Sequence, residues 1–474
     1  MTRPLLILFC ALALLPFPAA ARLVGPPEAW QTPPGHSRDL ADIRKSGVLR
    51  VLVNQSRNSS GEVAGEAIGL EYQRVRAFEH YLNREARDGR EIQVKLIPKA
   101  KEQLLAALQR GEGDLVAPGE LLGAHGGLDI RASTPIRHDV PLVLVSRQGG
   151  RRYARLDQLA GRTLVLPAGS AAGDALREVN QRLGQRKLAP IGVEWIDPSL
   201  AVEDVLEMVQ AGILPMTAVE QPIAERWAKV MPKLRIERHL VLANHGDMVW
   251  FTRRDAGMLQ ASVDRFLASY RPPANQDAVF QRVYRRLYQV RTPLERADRQ
   301  RLEKLRPVLQ RYAGQNQLDW LNLAALAFKE SSFDPQARGA SGAMGLMQIT
   351  PGAATSVGVS DVRGLDANVQ ASAKYLAQLR KTYFASPRFN ERERMAFILA
   401  AYNVGPQRVQ SLRAEARRRG LNPNQWFFQV ERVAAEQLGM GVVNYVNSVN
   451  KYYLAFDRER DRLEPGQKYA SASK

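Results

Sequence analysis

The residues with the clearest chemical potential lie in one short stretch. Ala327-Phe328-Lys329-Glu330-Ser331-Ser332-Phe333-Asp334-Pro335 sets an acid at the end of an apolar run, and Gly342-Ala343-Met344-Gly345-Leu346-Met347-Gln348 follows at once. The run reads as helix and the second segment as a glycine-punctuated loop. A carboxyl group among apolar neighbours is held protonated near neutral pH, because burial disfavours its charged form. A protonated carboxyl is what protonation of a glycosidic oxygen requires. Glu330 is therefore the candidate general acid.

The histidines narrow the chemistry further. All six (His36, His80, His125, His138, His239, His245) precede residue 276, and the single cysteine is Cys10. The C-terminal half thus lacks the side chains for a Ser-His-Asp triad, a cysteine nucleophile or a histidine-based zinc site. Carboxylates, amides, hydroxyls and aromatics remain, a set suited to carbohydrate, with no cofactor and no metal expected. A two-carboxylate glycosidase needs a second acid at a fixed separation. The nearest, Asp334, stands immediately before Pro335 and reads as a residue that caps or shapes the turn. Gln348 and Asn403 both donate and accept, which suits N-acetyl and hydroxyl groups. Met347 offers a soft apolar wall beside the acid, with plain core packing as the competing reading. Tyr402 and Tyr445 suit stacking on sugar faces or hydrogen bonding to a carboxyl.

The elements that must position these residues fall into two halves. Strand patterns at 47–53, 92–97, 140–145, 163–166 and 191–196 alternate with helical patterns at 69–82 and near 102–109, which predicts an α/β domain with mainly parallel sheets. After Tyr270-Arg271-Pro272-Pro273 the pattern becomes almost wholly helical to about residue 456. The division that follows is a signal peptide at 1–21, a proline-bearing tether at 22–45, an α/β domain at 46–272, a helical linker at 273–300, a mainly α domain at 301–456 and a polar tail at 457–474.

Arg3, the apolar run from Leu5 to Phe17 and the small residues Ala19-Ala20-Ala21 form the secretory pattern. Cys10 has Phe9 before it and lies inside the apolar run, so it lacks a lipid-attachment context. The net charge is +19. Such a balance favours anionic partners, yet export and the lack of any recognition motif argue against nucleic acid. Acidic wall peptides or anionic lipid headgroups are the alternatives, as is a charge that serves only solubility.

Four motifs in order carry a resemblance. Glu330-Ser331 with Phe333, Pro335 and Ala337, then Gly345-Leu346-Met347-Gln348-Ile349-Thr350-Pro351, then Ala400-Ala401-Tyr402-Asn403-Val404-Gly405-Pro406, and lastly Asn444-Tyr445-Val446 resemble the lysozyme-like catalytic domain of the lytic murein transglycosylases. The resemblance implies a C-terminal lysozyme-like fold that cleaves between N-acetylmuramic acid and N-acetylglucosamine in peptidoglycan strands. It implies that Glu330 is the one acid and base, that Ser331, Ser332, Met347, Gln348, Tyr402, Asn403 and Tyr445 meet the substrate, and that the product is a 1,6-anhydromuramoyl end. Two positions depart from the family pattern. Gly339 stands where a serine is frequent, and Gly441-Val442 replace Glu-Thr ahead of the tyrosine.

Residues 46–270 resemble, more diffusely, a two-lobed periplasmic solute-binding domain of the amino-acid type. Gly69-Leu70-Glu71-Tyr72, Asp114-Leu115, Ser133-Thr134-Pro135 and 209–220 carry the likeness. Such domains clamp a ligand carboxylate with an arginine a few residues before the Ser-Thr-Pro stretch. Here Gly126-Gly127 fall near that place, while Glu220 matches the acid that would meet an amino group. Arg131 and Arg137 are further anion contacts to weigh against plain solvated charges. An amino acid, a wall peptide or no ligand at all stay open for this half. The pairing of the two halves resembles membrane-bound lytic murein transglycosylases, which implies a periplasmic protein with peripheral outer-membrane association. A binding-only wall sensor and a hydrolytic muramidase are the competing readings.

Overall fold

The computed structural model describes residues 38–56, 60, 62–63, 66–84, 90–123, 126–287 and 293–464. The expected signal peptide, most of the tether and the last ten residues of the polar tail lie outside this set.

The N-terminal half is two lobes joined by two crossings of the chain. The strand Val48–Asn54 is buried without interruption from Leu49 onward, the pattern of a strand covered on both faces. It pairs in parallel with Gln93–Lys99 on one side and Leu115–Val116 on the other. Phe251–Arg253 returns antiparallel to complete a five-stranded sheet with Ile130–Ala132. The helix Leu70–Arg84 turns Val75, Phe78 and Leu82 inward at helical spacing, where Phe78 packs on Trp250 and Phe266 at ring separations of 5.6 and 5.1 Å.

The second lobe is inserted between Ala132 and Phe251. Its main sheet has Arg137–Arg147 at the centre, flanked by Met216–Glu220 and Leu234–Met248, both antiparallel. Thr163–Leu166 and Gly192–Trp195 form a separate parallel pair. The sheets are therefore mixed rather than mainly parallel. The expected alternation missed Leu234–Met248, whose charged Arg235, Glu237, Arg238 and His239 hide a strand that changes register four times. At the crossings the Ser133 amide donates to the Trp250 carbonyl at 2.8 Å, and the Ile136 amide donates to the Met248 carbonyl at 2.8 Å. Each crossing is thereby held to the other.

Two ends of the expected division look different in structure. Leu40–Ser46, placed in the tether, is a helix with Ile43 fully buried in the first lobe. Its N-terminal cap, Asp39, also accepts from the backbone amides of Met258 and Leu259. Arg460–Leu463, placed in the tail, forms a short helix with Leu463 buried.

From Gln276 onward the described residues form helices and loops, with no strand. Trp320–Ser331 is the core helix, with every residue from Leu323 to Phe328 buried. A helix apolar on all sides must be enclosed, and helices Arg296–Gln315 and Met440–Arg458 pack against it. Met440–Arg458 also meets the second lobe. Lys451 pairs with Glu207 at 2.6 Å, Asn450 donates to Ser199 at 2.9 Å, and Ala455 enters that lobe's apolar core. No helix among the described residues is long and apolar enough to cross a membrane.

Candidate active site

The core helix delivers Glu330 to the edge of the apolar cluster. Asp319 caps its N-terminus by accepting from the Leu321 amide at 3.0 Å. At the other end Ser332 and Phe333 take left-handed φ values of 54° and 63°. Two successive non-glycine residues in that region are uncommon, and burial of Phe333 against Phe328, at a ring separation of 5.2 Å, holds them there. The helix thus stops one turn after the last fully buried residues, and Glu330 is half-buried at its mouth.

Burial raises the Glu330 carboxyl above the ordinary carboxylate range. A hydrogen bond from the Tyr445 hydroxyl to Oε1 and the charge of Lys329 oppose that rise without cancelling it. Neither opposing group is a carboxylate. Burial and the nearby Glu330 push the Tyr445 phenol well up, so it remains a neutral donor. Lys329 is itself pushed down by burial, and its ammonium stands 5.9 Å from the centre of the Tyr445 ring. The pair is thus a carboxyl shifted toward its protonated form and a neutral phenol that donates to it.

Glycine-rich backbone completes the rim. Ser331 Oγ donates to the Leu346 carbonyl at 2.8 Å and to the Ala327 carbonyl at 3.1 Å, tying the helix end to the Gly-Leu-Met-Gln loop. The Gln348 amide donates to the carbonyls of Ala337 and Gly345 at 3.0 and 2.9 Å. A Cβ on Gly339 would meet Gln348 Oε1 at 2.2 Å. The glycine at this position is thus matched to the way Gln348 folds back on its own loop. Tyr402 donates to the Met347 carbonyl at 2.8 Å and sits 3.3 Å from Ser372 Oγ.

The candidate contacts therefore separate. Glu330 and Tyr445 are joined directly, and Asn403 is exposed on the neighbouring helix end with no partner among the described residues. Met347 is fully buried in the core, and the amide nitrogen of Gln348 is committed to backbone. Ser331 positions the loop, and Ser332 forms the left-handed cap. Asp334 accepts from the Gln336 amide at 2.9 Å, the turn-shaping role its place before proline suggests.

Asn368 is a supporting residue that sequence reasoning missed. Its Oδ1 accepts from the Met347 amide at 2.9 Å, while its amide donates to the carbonyls of Met344 and Val362 at 2.9 and 3.1 Å. A Cβ on Gly345 would stand 2.4 Å from it, at a φ of +77°. The Gly345 position gave half of this signal; nothing in the spacing gave the other half.

In the N-terminal half Glu220 is buried and faces an internal cation. Lys101 stands 2.8 Å from Glu120 and 3.9 Å from Glu220, whose carboxylate also accepts from the Leu121 amide at 2.7 Å. Burial and Glu120 raise Glu220 in spite of Lys101. Burial alone would lower the ammonium, and the two carboxylates more than offset it. A cleft of about 390 Å³ opens nearby, with Asp174, Glu178, His245 and Asp247 on its walls.

Residues 307–425 match the Transglycosylase SLT domain. The chain is 27% identical over 407 residues to membrane-bound lytic murein transglycosylase F of Desulfosudis oleivorans, with 82% of each chain covered. To the protein of that name from Stutzerimonas stutzeri it is 27% identical over 444 residues, with 88% of this chain and 86% of the relative covered. Among solved structures, the amino acid ABC transporter substrate-binding protein AbpA of Streptococcus pneumoniae, bound to L-arginine, is similar to 52% of this chain over 96% of its own. That likeness has 18% identity and a TM-score of 0.38.

Proposed function

We propose that the protein is a peptidoglycan lytic transglycosylase in which Glu330 alone performs both proton transfers. The observation that carries this reading is the pairing of a half-buried Glu330, shifted upward by burial, with neutral Tyr445, with no carboxylate among the groups that shift it. The SLT match and the names of the relatives support the activity class.

In this mechanism Glu330 gives its proton to the oxygen between N-acetylmuramic acid and N-acetylglucosamine, and the C1–O bond breaks. The substrate's own N-acetyl carbonyl oxygen bonds to C1 and takes up the developing positive charge. Ionised Glu330, steadied by the Tyr445 hydroxyl, then removes the proton from the C6 hydroxyl. That oxygen attacks C1 and displaces the carbonyl, leaving a 1,6-anhydromuramoyl end. The acid is regenerated and no water is consumed. Exposed Asn403 and the Glu330-bonded Tyr445 meet the sugar in this reading, while Ser331, Gln348, Tyr402 and Asn368 hold the loop. The N-terminal pattern supports export to the periplasm, where the substrate lies, and the N-terminal half serves docking or regulation.

The test is digestion of purified sacculi by the wild-type protein and by Glu330→Gln, with products read by mass spectrometry. Anhydromuramoyl ends from the wild type alone support the reading. Reducing ends in their place mark a hydrolase, and equal product from both proteins removes Glu330 from the chemistry.

A further inference from the structure

The helix Glu431–Leu438 of the catalytic half meets the first lobe at two points. Glu436 stands 3.7 Å from Lys95 of the strand Gln93–Lys99, and the side chain of Gln55, just past the strand Val48–Asn54, reaches Glu431. The helix Glu391–Val404 meets the second lobe, where Arg392 pairs with Asp197 at 2.6 Å. Glu431 feels both Gln55 and Arg392, so it stands at the joint between the two halves.

The joint encloses a turn that needs support from outside itself. Phe428 holds a left-handed φ of 62°, uncommon for a bulky residue, and Trp426, Phe427 and Phe428 are all buried. Two buried carboxyls take the amides of this turn. Glu393 accepts from Trp426 at 2.6 Å and from Phe427 at 3.3 Å, while Glu431 Oε1 accepts from Phe428 at 2.5 Å.

The other oxygen of Glu431 has no such service. Its Oε2 is buried without a hydrogen-bond partner, and so is Oε1 of Gln55. Two enclosed acceptors at one contact carry a desolvation cost that a donor between them would remove. The cations facing the site are Arg392 and Arg432, and both are engaged. Arg392 is held by Asp197, stands 3.6 Å from Glu393 and lies 4.0 Å over the Phe427 ring. Arg432 faces Glu436 and Glu112 as well as Glu431. Burial raises the Glu431 carboxyl and Glu393 adds to the rise, against the Phe428 amide, Gln55 and Arg392. A proton on Oε2 is the donor that this contact lacks, with the Gln55 amide turned to present its oxygen.

We propose that a proton on Glu431 Oε2, donated to Gln55 Oε1, closes the joint between the first lobe and the catalytic half, and that loss of this proton opens the joint and loosens the turn at 426–430. In the closed joint Glu431 keeps its proton up to about pH 7, whereas a solvated carboxyl loses it near 4.5. Closing therefore takes up one proton between those values. The closed population falls by up to about tenfold per pH unit across the window and levels off above it.

The experiment is amide hydrogen exchange of the full chain, read by mass spectrometry from about pH 5 to 8 and corrected for intrinsic exchange. Peptides covering 426–431 and 48–55 report the joint, and peptides from the core helix at 320–331 report opening of the catalytic half as a whole. In the wild type, protection at 426–431 and 48–55 falls with rising pH at up to about tenfold per unit and flattens above pH 7, while 320–331 changes less. Glu431→Gln keeps the size of the side chain and supplies a permanent donor to Gln55, so its protection is independent of pH over the window. Gln55→Leu removes the acceptor, which lowers protection at pH 5 and makes the slope shallower. Wild-type protection that is flat in pH overturns the proposal, as does an unchanged slope in Glu431→Gln. A slope shared equally by 320–331, or a Gln55→Leu profile identical to the wild type, overturns it too. None of these readouts depends on glycan cleavage.

Discussion

Glu330 and Glu220 are both acids shifted upward by burial, yet their surroundings differ in kind. Glu330 meets the neutral hydroxyl of Tyr445, with Lys329 only as a flanking charge. Glu220 shares the fully enclosed Lys101 with Glu120 in a cluster that already satisfies its members. A buried carboxyl with a neutral partner suits the acid–base role proposed for Glu330, whereas one beside a buried ammonium suits a tie between lobes.

Breaking the catalytic side of this contrast has the largest expected effect. Glu330→Gln lowers turnover on sacculi by about 10²–10⁴-fold, the usual contribution of a positioned general acid, with little change in melting temperature. On the other side, Lys101→Met leaves two buried carboxylates without their cation. It should destabilise the N-terminal half by about 3–5 kcal/mol in denaturant unfolding while leaving the Glu330 site assembled. Equal loss of activity and stability in both variants would erase the distinction.

Finer changes sharpen the catalytic half. Gly339→Ala drives a methyl group into Gln348 and should cost about 1–3 kcal/mol by overpacking, with reduced activity as the loop shifts. Tyr445→Phe removes the hydrogen bond that stabilises ionised Glu330. The alkaline limb of the pH–rate profile should move up by about one unit, on the scale of a hydrogen bond to a charged group. A limb that stays in place or moves down would deny that Tyr445 acts on the acid.

A test by pH alone concerns Glu431, pushed up to about 7 by burial, against a hydrogen bond from the Phe428 amide. Its folded-state pKa lies above the unfolded one. Its contribution to stability is therefore complete below about pH 4.5 and is lost as pH rises through 7. Melting temperature should fall over that window in the wild type, and Glu431→Gln should flatten the slope.

The catalytic region was the more legible of the two in sequence. An apolar run ending in Glu330, followed by glycines, is local information, and Gly345 is required by its positive φ and by Asn368. For Met347 the structure favours the core-packing reading, and the Gln348 amide nitrogen binds its own loop, two placements that residue type alone did not announce. The lobe tie was not legible, since Lys101, Glu120 and Glu220 are brought together across up to 119 residues of chain. For the same reason the antiparallel second-lobe sheet escaped: its partners are distant, and Leu234–Met248 carries charge where an apolar alternation would have announced a strand.

Digestion of sacculi in H₂¹⁸O decides whether one carboxyl performs the cleavage without water. The account predicts anhydromuramoyl ends free of ¹⁸O. Label incorporated at new reducing ends would contradict it and would require a second group to activate water.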